Sequence, residues 1–174
     1  MDEVSVRRAI LPDAQWIVDL SARVQTALTA SESLQRIGPL HLESVEMSIG
    51  SGNAYILEMV ARPLGSVLID PLESNSPMIT QWGLPTSPAP LWYLHALMLE
   101  PEEQGKKLGL TFLEGVKRLA IPISGTIILD CWAGNAKLRD FYRRAGFTFH
   151  GVFPVKDYEV AVFCFSLAAT SAVN

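Results

Sequence analysis

The order of apolar and polar positions along the chain predicts strands and helices that follow one another from residue 4 onward. A short β-prone run over residues 4–9 is typical of a strand, and the Leu11-Pro12-Asp13 segment after it is typical of a helix start. The helical spacing then continues at four apolar positions, Ile17, Leu20, Val24 and Leu28. A second short helix is predicted to end at Gly50-Ser51-Gly52. The beginning of the chain is therefore predicted to form a strand followed by two helices.

The middle of the chain is predicted to hold three strands and one long segment between them. AYILEMV and GSVLID are typical of two strands, joined across residues 61–63. Residues 71–90 are rich in Pro and Ser and are predicted to form a loop, in which Trp82 is expected to pack on the domain surface rather than to touch a substrate. The third strand, YLHALML, leads directly into another helix. That helix has an apolar face at Leu108, Phe112, Val116 and Leu119.

The C-terminal part is predicted to contain a strand, a helix and a hairpin. GTIILDCW is an apolar strand, a helix begins at Asn135 and ends at Gly146, and the hairpin turns at Lys156-Asp157. Because strands and helices alternate, the predicted fold class is α/β, with a mixed central β-sheet flanked by helices. The length of 174 residues suits a single domain over residues 1–174.

Composition and charge argue against several classes of protein. Hydrophobic residues make up 49% of the chain and charged residues 18%, which excludes a disordered chain or a coiled coil. The net charge of −4 argues against a nucleic-acid partner. Prolines interrupt the longest uncharged stretch, residues 74–99, and no apolar signal segment is visible at the N-terminus. We therefore expect no membrane partner and a cytoplasmic protein.

Cysteines and histidines give no sign of a metal site. Cys131 and Cys164 both lie inside apolar runs, as small core residues of a reducing compartment do. The three histidines are far apart along the chain and lack the spacing of metal ligands. The sequence thus predicts no bound metal.

The segment between the third strand and its helix is a candidate phosphate site. The amide N–H groups at the start of a helix lack helical partners and lie at the positive end of the helix dipole, where phosphates bind. Glycine at 105 and 109 allows the backbone to approach an anion, and the two lysines between them add positive charge. The candidate residues are Gln104, Gly105, Lys106, Lys107, Leu108 and Gly109. Taken alone, the segment is equally an ordinary turn with solvated lysines.

A second segment, LDCWAGNAKLRDFYRRAGF, strengthens the phosphate interpretation. Asn135 opens a helix and Tyr142 follows seven residues later. Taken alone, Asn135 is a good N-cap and Tyr142 a core residue. Together the two segments hold six of the 14 basic residues of the chain, and each opens a helix after a strand. This arrangement suits a ligand with several phosphates.

The two segments resemble the acetyl-CoA-binding core of the GNAT superfamily of N-acyltransferases. The loop pattern of that family, R/Q-x-x-G-x-G/A, is matched at Gln104 and Gly109. Its later N-x-x-x-x-x-x-Y-x-x-x-G-F pattern is matched throughout, at Asn135, Tyr142, Gly146 and Phe147. The order of elements also fits over nearly the whole chain. The resemblance implies a GNAT fold with acetyl-CoA as acyl donor. It also implies that the pantetheine arm bonds the strand backbone at Leu97, Met98 and Leu99.

Lys107 departs from the family pattern, which has glycine at this position. A glycine there tolerates a positive φ, which a lysine adopts only at a cost in free energy. We therefore expect Lys107 to have a negative φ, so that the loop keeps its anion-binding shape and the side chain points outward.

A narrower resemblance concerns the third strand. LHALML is similar to the LHALAV strand of the arylalkylamine N-acetyltransferase branch, whose second histidine falls on His95 and whose first falls on Tyr93. Acyl transfer needs a neutral amine. At neutral pH an alkylamine is protonated in all but roughly one molecule in a thousand, so a base is needed to remove its proton. The predicted base is therefore His95, placed by strand alternation on one face with Leu97 and Leu99. The resemblance makes Tyr142 the acid that returns a proton to the thiolate.

The predicted activity is direct acetyl transfer from acetyl-CoA to a primary amine, with a small-molecule amine as the expected substrate. The alternatives are an N-acetyltransferase of proteins or peptides and a non-catalytic acyl-CoA-binding module. The sequence does not name the amine. Glu43 and Glu46 would suit a cationic acceptor, but exposed glutamates are more often only solubilising. The apolar C-terminal strand is compatible with a homodimer.

Overall fold

The computed structural model describes residues 3–85, 89–119 and 124–167. The strands are β1 (Val4–Arg8), β2 (Ala54–Met59), β3 (Arg62–Pro71), β4 (Leu91–Leu99), β5 (Gly125–Trp132), β6 (Thr148–Val155) and β7 (Tyr158–Leu167). The helices are α1 (Ala14–Ala30), α2 (Leu42–Gly50), α3 (Pro77–Gln81), α4 (Leu108–Leu119) and α5 (Ala136–Arg144). Single 3-10 turns cover Leu11–Asp13 and Pro101–Glu103.

The strands form one seven-stranded sheet in the order β1-β2-β3-β4-β5-β7-β6. β4 and β5 are parallel, whereas β1–β2, β2–β3, β5–β7 and β6–β7 are antiparallel. The prediction of a mixed sheet with helices is therefore confirmed. None of the helices in the described ranges has the length and hydrophobicity that crossing a bilayer requires.

The chain groups into two compact units, of which the first runs to Asp70 and resumes over Leu94–Leu119. Its core lies between the sheet and helices α1 and α2, because the apolar stripe of α1 packs against β2, β3 and β4. The buried side chains of this core include Ile17, Leu20, Val24, Val45, Ile56, Leu68 and Met98. Helix α4 approaches β1 closely at Gly115, where an added Cβ would lie 2.4 Å from Cγ2 of Val6.

The second unit comprises Pro71–Tyr93 and the chain after Leu119. Its apolar cluster joins the segment after β3 to β5 and β7, through Trp82, Leu84, Ile128, Val160 and Val162. Helix α5 packs through Tyr142, whose ring lies 5.9 Å from those of Phe147 and Phe163.

Two details of the prediction were wrong. The turn between β2 and β3 lies at Val60-Ala61 and not across residues 61–63, because both residues adopt positive φ (49° and 60°) as in the two-residue turns that match strand twist. The segment over 71–90 is also not wholly a loop, since it contains α3, capped by Ser76. Trp82 is only 4% exposed, so its packing interpretation is confirmed. Residues 86–88 of the segment lie outside the described residues.

Candidate functional site

Strand β4 carries a β-bulge at Ala96. Leu72 N donates to Leu91 O at one end of the β3–β4 pair, and Glu100 N donates to Leu64 O at the other. Between these bonds β4 advances nine residues while β3 advances eight, so β4 contains one extra residue. Ala96 has a φ of 52°, which locates that residue.

Because of the bulge, the His95 side chain lies on the opposite face of the sheet from the predicted one. Leu68 of β3 packs in one cluster with Ala96 and Met98, and Asp70 follows two residues after Leu68 on the same face of β3. His95 is hydrogen-bonded to Asp70, so its side chain lies on the face of Ala96 and Met98. The expectation that His95 shares a face with Leu97 and Leu99 was wrong, because the extra residue shifts the alternation.

His95 belongs to a polar cluster with Asp70 and Ser48. His95 Nε2 lies 2.8 Å from Asp70 Oδ2. The Ser48 hydroxyl, from the end of α2, lies 2.9 Å from Asp70 Oδ1 and 3.0 Å from Oδ2. The side chains of His95 and Asp70 are both 30% exposed. The pair is therefore fixed by the protein and still reachable from solvent.

The charge state of Asp70 decides which nitrogen of His95 carries the hydrogen of their bond. Burial by itself would raise the Asp70 pKa, but hydrogen bonds from His95 and Ser48 outweigh it and hold this pKa below its usual value. A carboxylate has no proton to donate, so His95 Nε2 carries the hydrogen of the 2.8 Å bond. A neutral His95 ring in this tautomer keeps its lone pair on Nδ1.

The candidate phosphate loop has the backbone of an anion site. Gly105 and Lys107 have φ values of 80° and 61°, and the residues from Gln104 to Lys107 are all exposed. Within the described chain, the amides of residues 105–107 donate to no other backbone group. Leu108 and Gly109 begin α4, where the first amides lack helical partners. A run of such amides with left-handed residues forms a concave anion site, which fits a phosphate.

The charges around this loop are partly engaged. Lys106 Nζ lies 2.9 Å from Glu103, and Arg62 lies 2.8 Å from the other oxygen of the same carboxylate. These two cations lower the pKa of Glu103. Because Lys106 is paired with Glu103, it attracts an anion less strongly than the sequence predicted. Anion binding at this loop therefore depends more on the backbone amides.

The expected negative φ of Lys107 was wrong. With a φ of 61°, Lys107 adopts the left-handed conformation that the family glycine would adopt. The loop keeps that shape at a cost of about 1–2 kcal/mol for a residue with a Cβ.

Lys107→Gly is accordingly expected to leave acetyl-CoA affinity within about tenfold of wild type, or roughly 1.4 kcal/mol. The loop already has the glycine-like backbone, so only the ammonium is lost and the strain relieved. Calorimetric titration measures this change. Lys107→Ala is the matched control, because it removes the ammonium and keeps the strain. A hundredfold tighter complex for Lys107→Gly would mean that lysine impairs the native loop.

Helix α5 carries the second set of predicted residues. Asn135 caps it as expected, with its side chain accepting a bond from Leu138 N at 3.0 Å. Tyr142 is buried, and this burial raises the pKa of its hydroxyl above the usual value. The basic residues are mostly engaged locally: Arg139 and Arg143 lie over the Phe149 ring, and Arg144 pairs with Asp140. The loop at Gln104–Gly109 is thus the better-supported phosphate site.

Residues 46–147 match the sequence model of the acetyltransferase (GNAT) family, which is more than half of the chain. The chain belongs to the acetyltransferase (GNAT) family. The predicted family and the predicted GNAT fold are therefore confirmed.

One sequence relative and two solved structures are similar to this chain, and the structures agree with its fold. The uncharacterized N-acetyltransferase YesJ of Bacillus subtilis (strain 168) is 29% identical over 147 residues, which are 82% of this chain and 81% of YesJ. The crystal structure of a GNAT acetyltransferase from Listeria monocytogenes 4b F2365 has a TM-score of 0.74 and 24% identity, over 94% of this chain and 95% of the other. The structure of yncA from Salmonella typhimurium has a TM-score of 0.70 and 13% identity, over 99% and 98% of the chains, and contains acetyl-CoA as its cofactor.

Within the GNAT fold, the sequence prediction missed several polar partners. Asp70 and Ser48 were not predicted, although an acid that ends the apolar strand GSVLID was a visible signal. In the second unit, Tyr93 donates its hydroxyl hydrogen to Asp130. Burial and the nearby Asp130 charge raise the pKa of Tyr93. In the described part of the chain, no group of three or more His, Cys, Asp or Glu side chains is arranged to hold a metal ion.

Proposed function

We propose that this GNAT protein is an N-acetyltransferase that moves the acetyl group of acetyl-CoA directly onto a primary amine. The observation that carries the proposal is the hydrogen bond between His95 and Asp70, on the strand that leads into the loop at Gln104–Gly109. We propose a small-molecule amine as the acceptor and one domain as the active unit. Assembly as a homodimer and a cytoplasmic location stay predictions.

His95 is the proposed base. At neutral pH an alkylamine is almost wholly protonated and cannot attack a carbonyl carbon until it loses a proton. His95 receives that proton on Nδ1, directly or through one water, while Nε2 stays bonded to the Asp70 carboxylate. The amine nitrogen then forms its bond to the acetyl carbon as the carbon–sulfur bond breaks, and the second proton that the nitrogen loses passes to solvent, from which the proposed acid is reprotonated.

The residues that would hold acetyl-CoA lie along β4 and the loop after it. Acetyl-CoA supplies the activated acetyl thioester. The exposed amides of residues 105–107 and the start of α4 would bind its pyrophosphate. The backbone of Leu97, Met98 and Leu99, just after the bulge, would bond the pantetheine arm. A strand amide there would also stabilise negative charge on the thioester oxygen.

Tyr142 is the proposed acid. The sulfur leaves as a thiolate, and a hydroxyl near it can return the proton. Burial raises the pKa of the Tyr142 hydroxyl, so this group keeps its proton over the whole physiological range. Asn135 would not transfer a proton itself; it caps the helix that carries Tyr142.

A CoA-release assay over a panel of acceptors tests the proposal. The panel contains alkylamines, arylalkylamines, polyamines and short peptides with free N-termini. We expect at least one small amine to raise the rate of CoA release above the rate with water alone. Acceleration by peptides alone would favour a protein or peptide acetyltransferase. Binding of acetyl-CoA without acceleration by any acceptor would favour a non-catalytic module.

Acetyl-CoA is expected to bind far more tightly than free adenosine, because the loop amides recognise phosphate groups that adenosine lacks. Isothermal titration at low salt, with adenosine in the same buffer as the control, measures the difference. The absence of any heat with acetyl-CoA would contradict the proposed donor. Equal affinity for the two ligands would contradict the assigned phosphate loop.

A further inference from the structure

We infer that Asp70 is a positioning residue for the proposed base, which it holds in the tautomer with hydrogen on Nε2, and that Ser48 holds Asp70 in turn. This inference rests on the proposed function, because it gives His95 a role in proton transfer. None of the three residues needs to contact acetyl-CoA for it to hold. Asp70 acts through His95 and not on the reacting atoms.

Side chains from two other elements hold the Asp70 carboxylate. His95 Nε2 of β4 lies 2.8 Å from Oδ2, and the Ser48 hydroxyl of α2 lies 2.9 Å from Oδ1 and 3.0 Å from Oδ2. These two donors, from separate elements, restrict the orientation of the carboxylate. A fixed carboxylate in turn fixes the orientation of the imidazole ring.

The bulge at Ala96 is what brings the two residues together. Without the extra residue in β4, strand alternation would place His95 opposite to the face of Ala96 and Met98. The bulge turns His95 toward that face, where Asp70 directly follows the buried residues of β3 and Ser48 lies in the last turn of α2. Bulges re-aim side chains in this way near active sites.

Stability alone does not account for this arrangement. Both side chains of the His95–Asp70 pair are 30% exposed, and a single partly exposed hydrogen bond contributes only modestly to the free energy of unfolding. Ser48 is buried, with its hydroxyl directed at the carboxylate. The contact defines the direction and protonation of one imidazole ring, which is what a base requires.

Asp70→Asn tests the inference by two independent measurements. With 15N-labelled histidine, NMR spectra of the wild type are expected to show the neutral His95 ring with hydrogen on Nε2. Asp70→Asn should move hydrogen toward Nδ1, because an amide presents a donor where the carboxylate presented only acceptors. The kcat should fall about 10- to 100-fold. The KM for acetyl-CoA should change little. Asp19→Asn, on the exposed face of α1, is the matched control and should alter neither measurement.

Ser48→Ala keeps the Asp70 carboxylate and removes the hydroxyl that donates a hydrogen bond to it. It should lower kcat a few-fold with the Nε2 hydrogen retained, and it decides the matter if Asp70→Asn does not fold. An unchanged kcat and tautomer in Asp70→Asn would overturn the positioning role and leave the proposed base untouched. Likewise, wild-type kcat in Ser48→Ala would overturn the supporting role of Ser48. Failure of the base itself is read separately, from a His95 variant with undiminished turnover.

Discussion

His95→Ala is expected to lower kcat by roughly 10²- to 10⁴-fold, which is the usual contribution of a positioned general base. The affinity for acetyl-CoA should stay nearly unchanged, because the predicted cofactor contacts at this strand are backbone groups of Leu97–Leu99 and loop amides. The side chain is 30% exposed, so its removal leaves only a small vacancy. Steady-state CoA release, with an amine from the panel at saturation, measures kcat.

The matched control for this variant is His41→Ala. His41 is exposed just before α2 and makes no capping hydrogen bond, so its removal should leave kcat at the wild-type level. The loss in His95→Ala should lessen from neutral pH toward about pH 9, as more free amine becomes available without a base. Wild-type rates for His95→Ala from about pH 6 to pH 9 would place the base elsewhere.

The elements of this fold were predictable because their signals are local. The stripe on α1, the Asn135 cap of α5 and the turn at Lys156-Asp157 each depend on residues within one or two turns of one another. The family patterns are local as well, at Gln104–Gly109 and at the start of α5. Local patterns therefore sufficed for the fold class and for the family.

The surroundings of His95 were not predictable for a corresponding reason. His95 and Asp70 are 25 residues apart, and Ser48 and Asp70 are 22 apart, so neither bond has a sequence spacing that marks it. The bulge at Ala96 leaves no trace in composition, because alanine is common in strands and helices alike. An alternation rule applied across an unseen bulge assigns the wrong face to one side of it.

The conformation of Lys107 shows a further limit of local reasoning. Residue type alone favours a negative φ for lysine, but the chain must pass from Gln104 into α4 within three residues. The loop meets this constraint with left-handed residues at Gly105 and Lys107. Strain of about 1–2 kcal/mol is tolerated where the surrounding structure determines the path of the backbone.

Tyr142→Phe is expected to lower kcat by about 10²-fold near neutral pH, because the variant cannot return a proton to the departing sulfur. The fold should persist, since the ring keeps its contacts with Phe147 and Phe163. The Tyr142 pKa is raised, so wild type retains its acid as pH rises, whereas a thiolate of pKa about 8.5 needs an acid less and less above that pH. The kcat deficit of Tyr142→Phe should therefore shrink toward high pH.

Tyr55→Phe, at a buried tyrosine of β2, is the control and should show no deficit in kcat. A constant ratio of wild-type to variant kcat across the pH range would remove Tyr142 from the proton transfer.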